Sequence, residues 1–188
     1  MPSIPLYITE QMGIAQSKTG IVLASYAIAL MFVRPFSGYL VDLYSRKKIL
    51  FIAFSCYVLI FFGYFWATTV LIFVIVRFLH GITWGISTVS SSTLAIDVVP
   101  SERRAEGIGY YGTFMNVAMA IGPFIAIHIY HEYSFQMLLW CAIAMGVLGI
   151  VTVALIKAPE KPKVQREKLS LDRFFLIKGW PIFLNQLL

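Results

Sequence analysis

The chain alternates long apolar stretches with short polar ones. Residues 20–41, 49–69, 70–96, 108–130 and 135–156 are almost free of charge. Each can form a helix of the roughly 20 residues needed to cross a hydrocarbon core of about 30 Å. The ionisable side chains inside them are few: Arg34 in the first, Arg77 and His80 in the third, and His128 in the fourth. Apolar positions run continuously and do not alternate with polar ones, which excludes a closed β-barrel. The pattern therefore predicts an all-α membrane protein with five transmembrane helices. The opening residues lack the charged and apolar regions of a signal peptide. Residues 2–8 read as the outer end of an apolar segment, and residues 179–188 as the start of another that is too short to span. The expected organisation is a helix bundle over residues 1–157 whose first helix is missing, a cytoplasmic linker over 158–178, and the beginning of a second bundle over 179–188.

Composition agrees with this pattern. Hydrophobic residues make up 59% of the 188 and charged residues 13%, with a mean hydropathy of +0.80. A soluble domain carries about twice that share of charge, so a disordered chain is excluded and a water-soluble globule lacks the polar surface it needs. Cys56 and Cys141 lie in apolar runs away from other ligands and read as small core residues, with neither a metal site nor a disulfide framework implied. A net charge of +6 raises the question of nucleic acid. Position answers it. Twelve of the 15 basic residues fall in three segments, 46–48, 103–104 and 157–178, and the alternate segments hold only Lys18. Charge divided among helix ends is a topology signal, so no nucleic acid is expected as a partner. By the positive-inside rule these three segments are cytoplasmic and residues 1–19 external, with the chain in the cell membrane.

The first span ends Gly38-Tyr39-Leu40-Val41-Asp42-Leu43-Tyr44-Ser45-Arg46-Lys47-Lys48. This resembles the signature loop of the major facilitator superfamily, G-x-x-x-D-[RK]-x-G-R-[RK]. Gly38, Asp42, Arg46 and Lys47 match; Leu43 stands where a basic residue is usual, and Ser45 replaces a glycine. Asp42 lies at a helix C-terminus, where the macrodipole disfavours an anion and calls for a positive partner. Arg46 is one turn away, and Gly38 would let another helix approach closely. The resemblance implies a second basic partner elsewhere and a latch that closes the cytoplasmic side. The alternative is a topology determinant with a local Asp42–Arg46 pair.

After the third span, Asp97-Val98-Val99-Pro100-Ser101-Glu102-Arg103-Arg104 resembles the acidic-x-x-P-x-x-x-R element of the same superfamily. Asp97 and Arg104 would then join Asp42 and Arg46 in one cytoplasmic charge network. The alternative is a helix break at Pro100, with Glu102 and Glu106 favouring the next helix start. In the fourth span Ala118, Gly122 and Ala126 recur every four residues and form a stripe for close helix contact. Pro123 cannot donate to the Met119 carbonyl and should kink the helix. With Gly109, this resembles the antiporter motif G-x8-G-x3-G-P-x2-G-G: Gly109, Gly122 and Pro123 match, while Ala118, Ala126 and Ile127 replace glycines. The motif implies export by exchange; the alternative is a packing seam with no bearing on direction.

In the third span, Arg77, His80 and Gly81 resemble the R-x-x-Q-G element of proton-linked drug exporters, with His80 in the glutamine's place. An intramembrane arginine is costly and marks a pathway or a pairing site. His80 either takes a proton or is a neutral, hydrogen-bonded histidine. Arg34 either lines a cavity or pairs inside the bundle. Ser87, Thr88, Ser90, Ser91, Ser92 and Thr93 read as helix glue, and Asn116 adds an amide to the next span. The expected path residues are Arg34, Arg77, His80 and Asn116. His128 and His131 read as solvated side chains at the outer boundary.

The resemblance implies a secondary active transporter that moves a small organic molecule outward in exchange for protons, by alternating access between two halves. Its partners would be the lipid bilayer, the substrate and protons, with no cofactor. Two other readings stand beside it. A polytopic membrane enzyme acting on lipid would need clustered carboxylates to hold a metal, and no acid lies in the middle of a span. A truncated product would not transport.

Overall fold

The structure, a computed structural model, describes residues 3–158. Most of the expected linker, and the segment 179–188, lie outside the described residues. Helix α1 (Ser3–Leu6) continues into a π-helical turn at Tyr7–Gln11. Then come α2 (Gln16–Leu43), α3 (Arg46–Ile60), α4 (Val70–Val98), α5 (Arg104–Glu132) and α6 (Phe135–Leu155), with no strand among the described residues. Five of the helical segments are long and apolar enough to cross a membrane; they contain three of the five predicted spans and overlap the other two, ending at Trp66 and Leu155 where the expected spans run to 69 and 156.

Local chemistry sets the boundaries. Gly13 takes a positive φ of 63°, open to glycine at no steric cost, and turns the chain from the π-helical turn into α2. Thr69 caps α4 by accepting from Ile72 N at 3.4 Å, and Ser134 caps α6 by accepting from Met137 N at 3.1 Å. Pro35 lies inside α2 and Pro123 inside α5, each removing one helical hydrogen bond. The second span departs from the continuous helix expected over 49–69. After Ile60 it tightens into a 3₁₀ turn, Phe61–Trp66, in which Gly63 lies against Val76.

Packing centres on α4, which lies between α2 and α3. A Cβ added at Gly81 would stand 2.6 Å from the Tyr26 carbonyl oxygen, and one at Gly85 would overlap the Val33 side chain. These two glycines, one turn apart, bring the α2 backbone against α4. Gly146 and Gly149 do the same for α6, lying under Val58 and Phe54 of α3. The core gathers Ile4, Ile8, Val22, Phe73, Phe135 and Leu139, and Tyr7 stacks on Phe135 at 4.0 Å. Residues 3–11 therefore complete the bundle's packing at the end where α4 and α6 begin. Helix α5 stands at the edge, with Tyr130 its one buried residue.

Candidate functional site

The first cluster lies where α2, α4 and α6 end and α3 and α5 begin. Arg46, the first residue of α3, donates through Nη1 to Asp97 Oδ1 in the last turn of α4. The extended backbone at Ser45 separates α3 from α2 and sets Arg46 beside α4. The carboxylate that Arg46 grips is thus Asp97 of α4, which joins two members of the expected cytoplasmic charge network. Lys47 faces a third helix. Its Nζ donates to the carbonyls of Ala154 and Ile156, 2.7 Å each. Those belong to the carbonyls a helix end leaves unsatisfied, and the macrodipole favours a cation there. Asp42 is exposed at the end of α2 and Arg104 exposed at the start of α5. Arg103 makes a two-point ion pair with Glu106, at 2.8 and 2.7 Å.

The second cluster is buried between α2, α3 and α4. Arg77 is 7% exposed and His80 is 2% exposed. The Arg77 guanidinium lies 4.4 Å from the centroid of the Tyr26 ring, a cation–π contact that the glycine seam permits by drawing α2 close. His80 Nδ1 shares a 3.0 Å hydrogen bond with the Tyr64 hydroxyl, and the imidazole packs on Tyr57 and Phe61 at 4.2 and 4.6 Å. That is the geometry of the hydrogen-bonded histidine. Arg77 Nε and His80 Nε2 are buried and have no hydrogen-bond partner among the described residues.

The four expected path residues do not converge. Arg77 and His80 sit in the seam, whereas Arg34 and Asn116 are exposed, on faces of α2 and α5 that no described residue covers. The hydroxyls of α4 mostly serve their own helix: Ser87, Thr88, Ser90, Ser92 and Thr93 donate to carbonyls three or four residues back. Ser91 accepts from the Tyr111 hydroxyl at 3.1 Å and links α4 to α5.

The small-residue positions are also placed differently from expectation. No atom of the described residues outside the local chain lies within 4 Å of a Cβ added at Gly38, Gly109 or Gly122. Ala118 is exposed, and Ala126 packs on the core at one end of the stripe. The close approaches fall on Gly81, Gly85, Gly146 and Gly149 instead, because the α2–α4 and α3–α6 seams carry the packing while α5 turns its stripe outward. His128 and His131 are exposed near the end of α5.

The sequence profile of the Major Facilitator Superfamily matches residues 1–188. The chain belongs to this superfamily. Among similar proteins is the "Quinolone resistance protein NorA" of Staphylococcus aureus strain MRSA252, 26% identical over 186 residues, covering 98% of this chain and 47% of NorA. NorA of strain Mu50 is 25% identical over the same shares. The MFS-type transporter YqjV of Bacillus subtilis strain 168 is 23% identical, with 94% of this chain and 44% of YqjV covered. The chain spans about half the length of the curated relatives it matches. Facilitator-superfamily membership and the five apolar helices together identify a multi-pass membrane protein with a partial major facilitator fold.

Three contacts escaped the sequence reading: the Lys47 cap on α6, the Tyr57–Phe61–Tyr64 cradle around His80, and the Tyr130 hydroxyl donating to Glu10 Oε2 at 3.1 Å. The first had a readable signal, a lysine at a helix end predicted to lie on the same side of the membrane as the end of the fifth span. The other two depend on which aromatic residues turn inward, and that is set by tertiary packing.

Proposed function

We propose that the chain supplies the amino-terminal half of a secondary active exporter, which moves a small, amphipathic organic molecule outward in exchange for protons by alternating access. The observation that supports this best is family membership together with the Arg46–Asp97 pair, which joins two of the motif residues at the end predicted to be cytoplasmic. In this reading the pair and the Lys47 cap hold α3, α4 and α6 as one body, and Asp42 beside them serves the latch. Export is favoured by Gly109, Gly122 and Pro123, and by the resistance function in the printed name of the NorA relatives. The bundle over residues 1–157, with the linker after it, would work against a second bundle, as in transporters built from two repeats.

The test is reconstitution of the chain in its complete reading frame in lipid vesicles with an imposed pH gradient. Flux of amphipathic organic probes that reverses when the gradient is reversed is the expected result. Flux indifferent to the gradient would remove proton exchange, and no flux of any probe would remove the exporter.

A further inference from the structure

Arg77 and His80 lie one turn apart on α4, both buried, and one residue of another segment touches both. The second span tightens into a 3₁₀ turn at Phe61–Trp66. In such a turn residues three apart eclipse, so Phe61 and Tyr64 share a face. Both are buried, and both meet the His80 imidazole. The Tyr64 hydroxyl lies 3.0 Å from His80 Nδ1 and meets the Arg77 guanidinium as well. The chemistry of the three groups orders the hydrogens. A guanidinium carries donors only, so the Tyr64 oxygen accepts from Arg77. Its single hydrogen then goes to Nδ1, which must present a lone pair. The reverse, Nδ1–H donating to the oxygen, would occupy both oxygen lone pairs and leave the hydroxyl hydrogen unused. A charged imidazole would also set a second cation beside a buried guanidinium, and residues 43–96 contain no Asp or Glu to offset it. The other titratable groups around the pair are phenols: Tyr57 of α3 and Tyr64 against the imidazole, and Tyr26 of α2 against Arg77.

We propose that Tyr64 and His80 are positioning residues for Arg77: the neutral imidazole accepts at Nδ1 and orients the Tyr64 hydroxyl, whose oxygen holds the guanidinium against the Tyr26 ring. His80 is therefore a fixed acceptor and does not carry the exchanged proton. A glutamine amide oxygen could accept the same hydrogen, whereas an aliphatic side chain could not. The inference rests on the exporter reading for its meaning, but its first measurement needs no flux.

The experiment is nitrogen-15 NMR of the chain in its complete reading frame, labelled at histidine and held in lipid nanodiscs. The signals absent from His80→Gln belong to His80. The expected result, from about pH 5 to about pH 8, is a hydrogen-bonded lone-pair nitrogen at Nδ1 and a protonated Nε2. Tyr64→Phe should move the Nδ1 signal toward that of a free lone-pair nitrogen. A proton on Nδ1, an imidazolium within that range, or an Nδ1 signal unmoved by Tyr64→Phe would overturn the proposal. The unsubstituted chain alone decides the first two, so the measurement stands if Tyr64→Phe fails to insert. The second arm is gradient-driven flux in vesicles. His80→Gln should retain several-fold more flux than His80→Leu, and Tyr64→Phe should lower flux several-fold. Loss of flux in His80→Gln as complete as in His80→Leu would make His80 the proton carrier and overturn the positioning role. Absence of flux in the unsubstituted chain would sink the exporter reading alone, with the nitrogen signals still deciding the order of the hydrogen bonds.

Discussion

Arg46 and Lys47 are adjacent in sequence and grip different helices, and their separate loss should read differently. Arg46 and Asp97 are partly buried, so their coupling should lie between the small value of an exposed pair and the several kcal/mol of a fully buried one, about 1–2 kcal/mol. A double-mutant cycle of Arg46→Gln and Asp97→Asn, followed by thermal unfolding in detergent, measures it; a coupling indistinguishable from zero would show that the pair does not tie α3 to α4. His80 makes a second residue-scale argument. Tyr64→Phe removes the hydroxyl at Nδ1 and leaves a buried ring nitrogen without its partner, at a cost of about 1–3 kcal/mol. The same unfolding measurement should show His80→Phe/Tyr64→Phe less destabilised than the two single losses combined, because the paired change removes both polar groups together. Strict additivity would mean the hydrogen bond carries no stability. The position of Arg77 and His80 inside a span could be read from the sequence. Their aromatic surroundings could not, because Tyr26, Tyr57 and Tyr64 come from three segments whose inward faces are fixed only when those segments pack.

Helices α4 and α5 show why the elements were legible and their roles less so. Both are 29 residues long, apolar, and dotted with small residues. Run length and continuity therefore located each to within a few residues, since a lipid environment demands uninterrupted helix. Neither quantity says which small residues meet a neighbour. The stripe with the regular four-residue repeat, Ala118-Gly122-Ala126, faces open space over most of its length, while Gly81 and Gly85 touch α2 directly. The prediction follows from those distances. Gly81→Ala places a methyl 2.6 Å from the Tyr26 carbonyl oxygen, a backbone atom that cannot move aside without shifting α2, and should lower stability by about 1–3 kcal/mol. Gly122→Ala adds a methyl where nothing lies within 4 Å and replaces the poorest ordinary helix former with the best, so it should leave unfolding of this chain unchanged or raise its midpoint. Equal effects at the two sites would contradict the packing described. Should Gly122→Ala impair transport while leaving stability intact, the stripe would be shown to act through contacts outside the described residues.

At the scale of the whole molecule the ends of the bundle differ in chemistry. One end gathers Arg46, Lys47, Lys48, Asp97, Arg103 and Arg104, and two of these side chains cross between helices. The other end is joined by aromatic contact, Tyr7 on Phe135, and by the hydrogen bond from the Tyr130 hydroxyl to Glu10. Short connections force α2 to α6 to alternate in direction, so fixing the side of one loop fixes them all. The charge asymmetry then predicts which end faces the cytoplasm. With Cys56 and Cys141 replaced by alanine, single cysteines at Ser17, Thr68 and Tyr133, all exposed, should react in intact cells with a membrane-impermeant maleimide. Cysteines at Ser45 and Ser101, also exposed, should react only after the membrane is opened. Tyr133 is chosen over Ser134 because the Ser134 hydroxyl caps α6, and its loss would blur the readout. Labelling of Ser45 and Ser101 sites in intact cells, with the other three protected, would invert the orientation. The Arg46–Asp97 pair and the Lys47 cap would then lie on the external face, and a cytoplasmic latch could not be built from them.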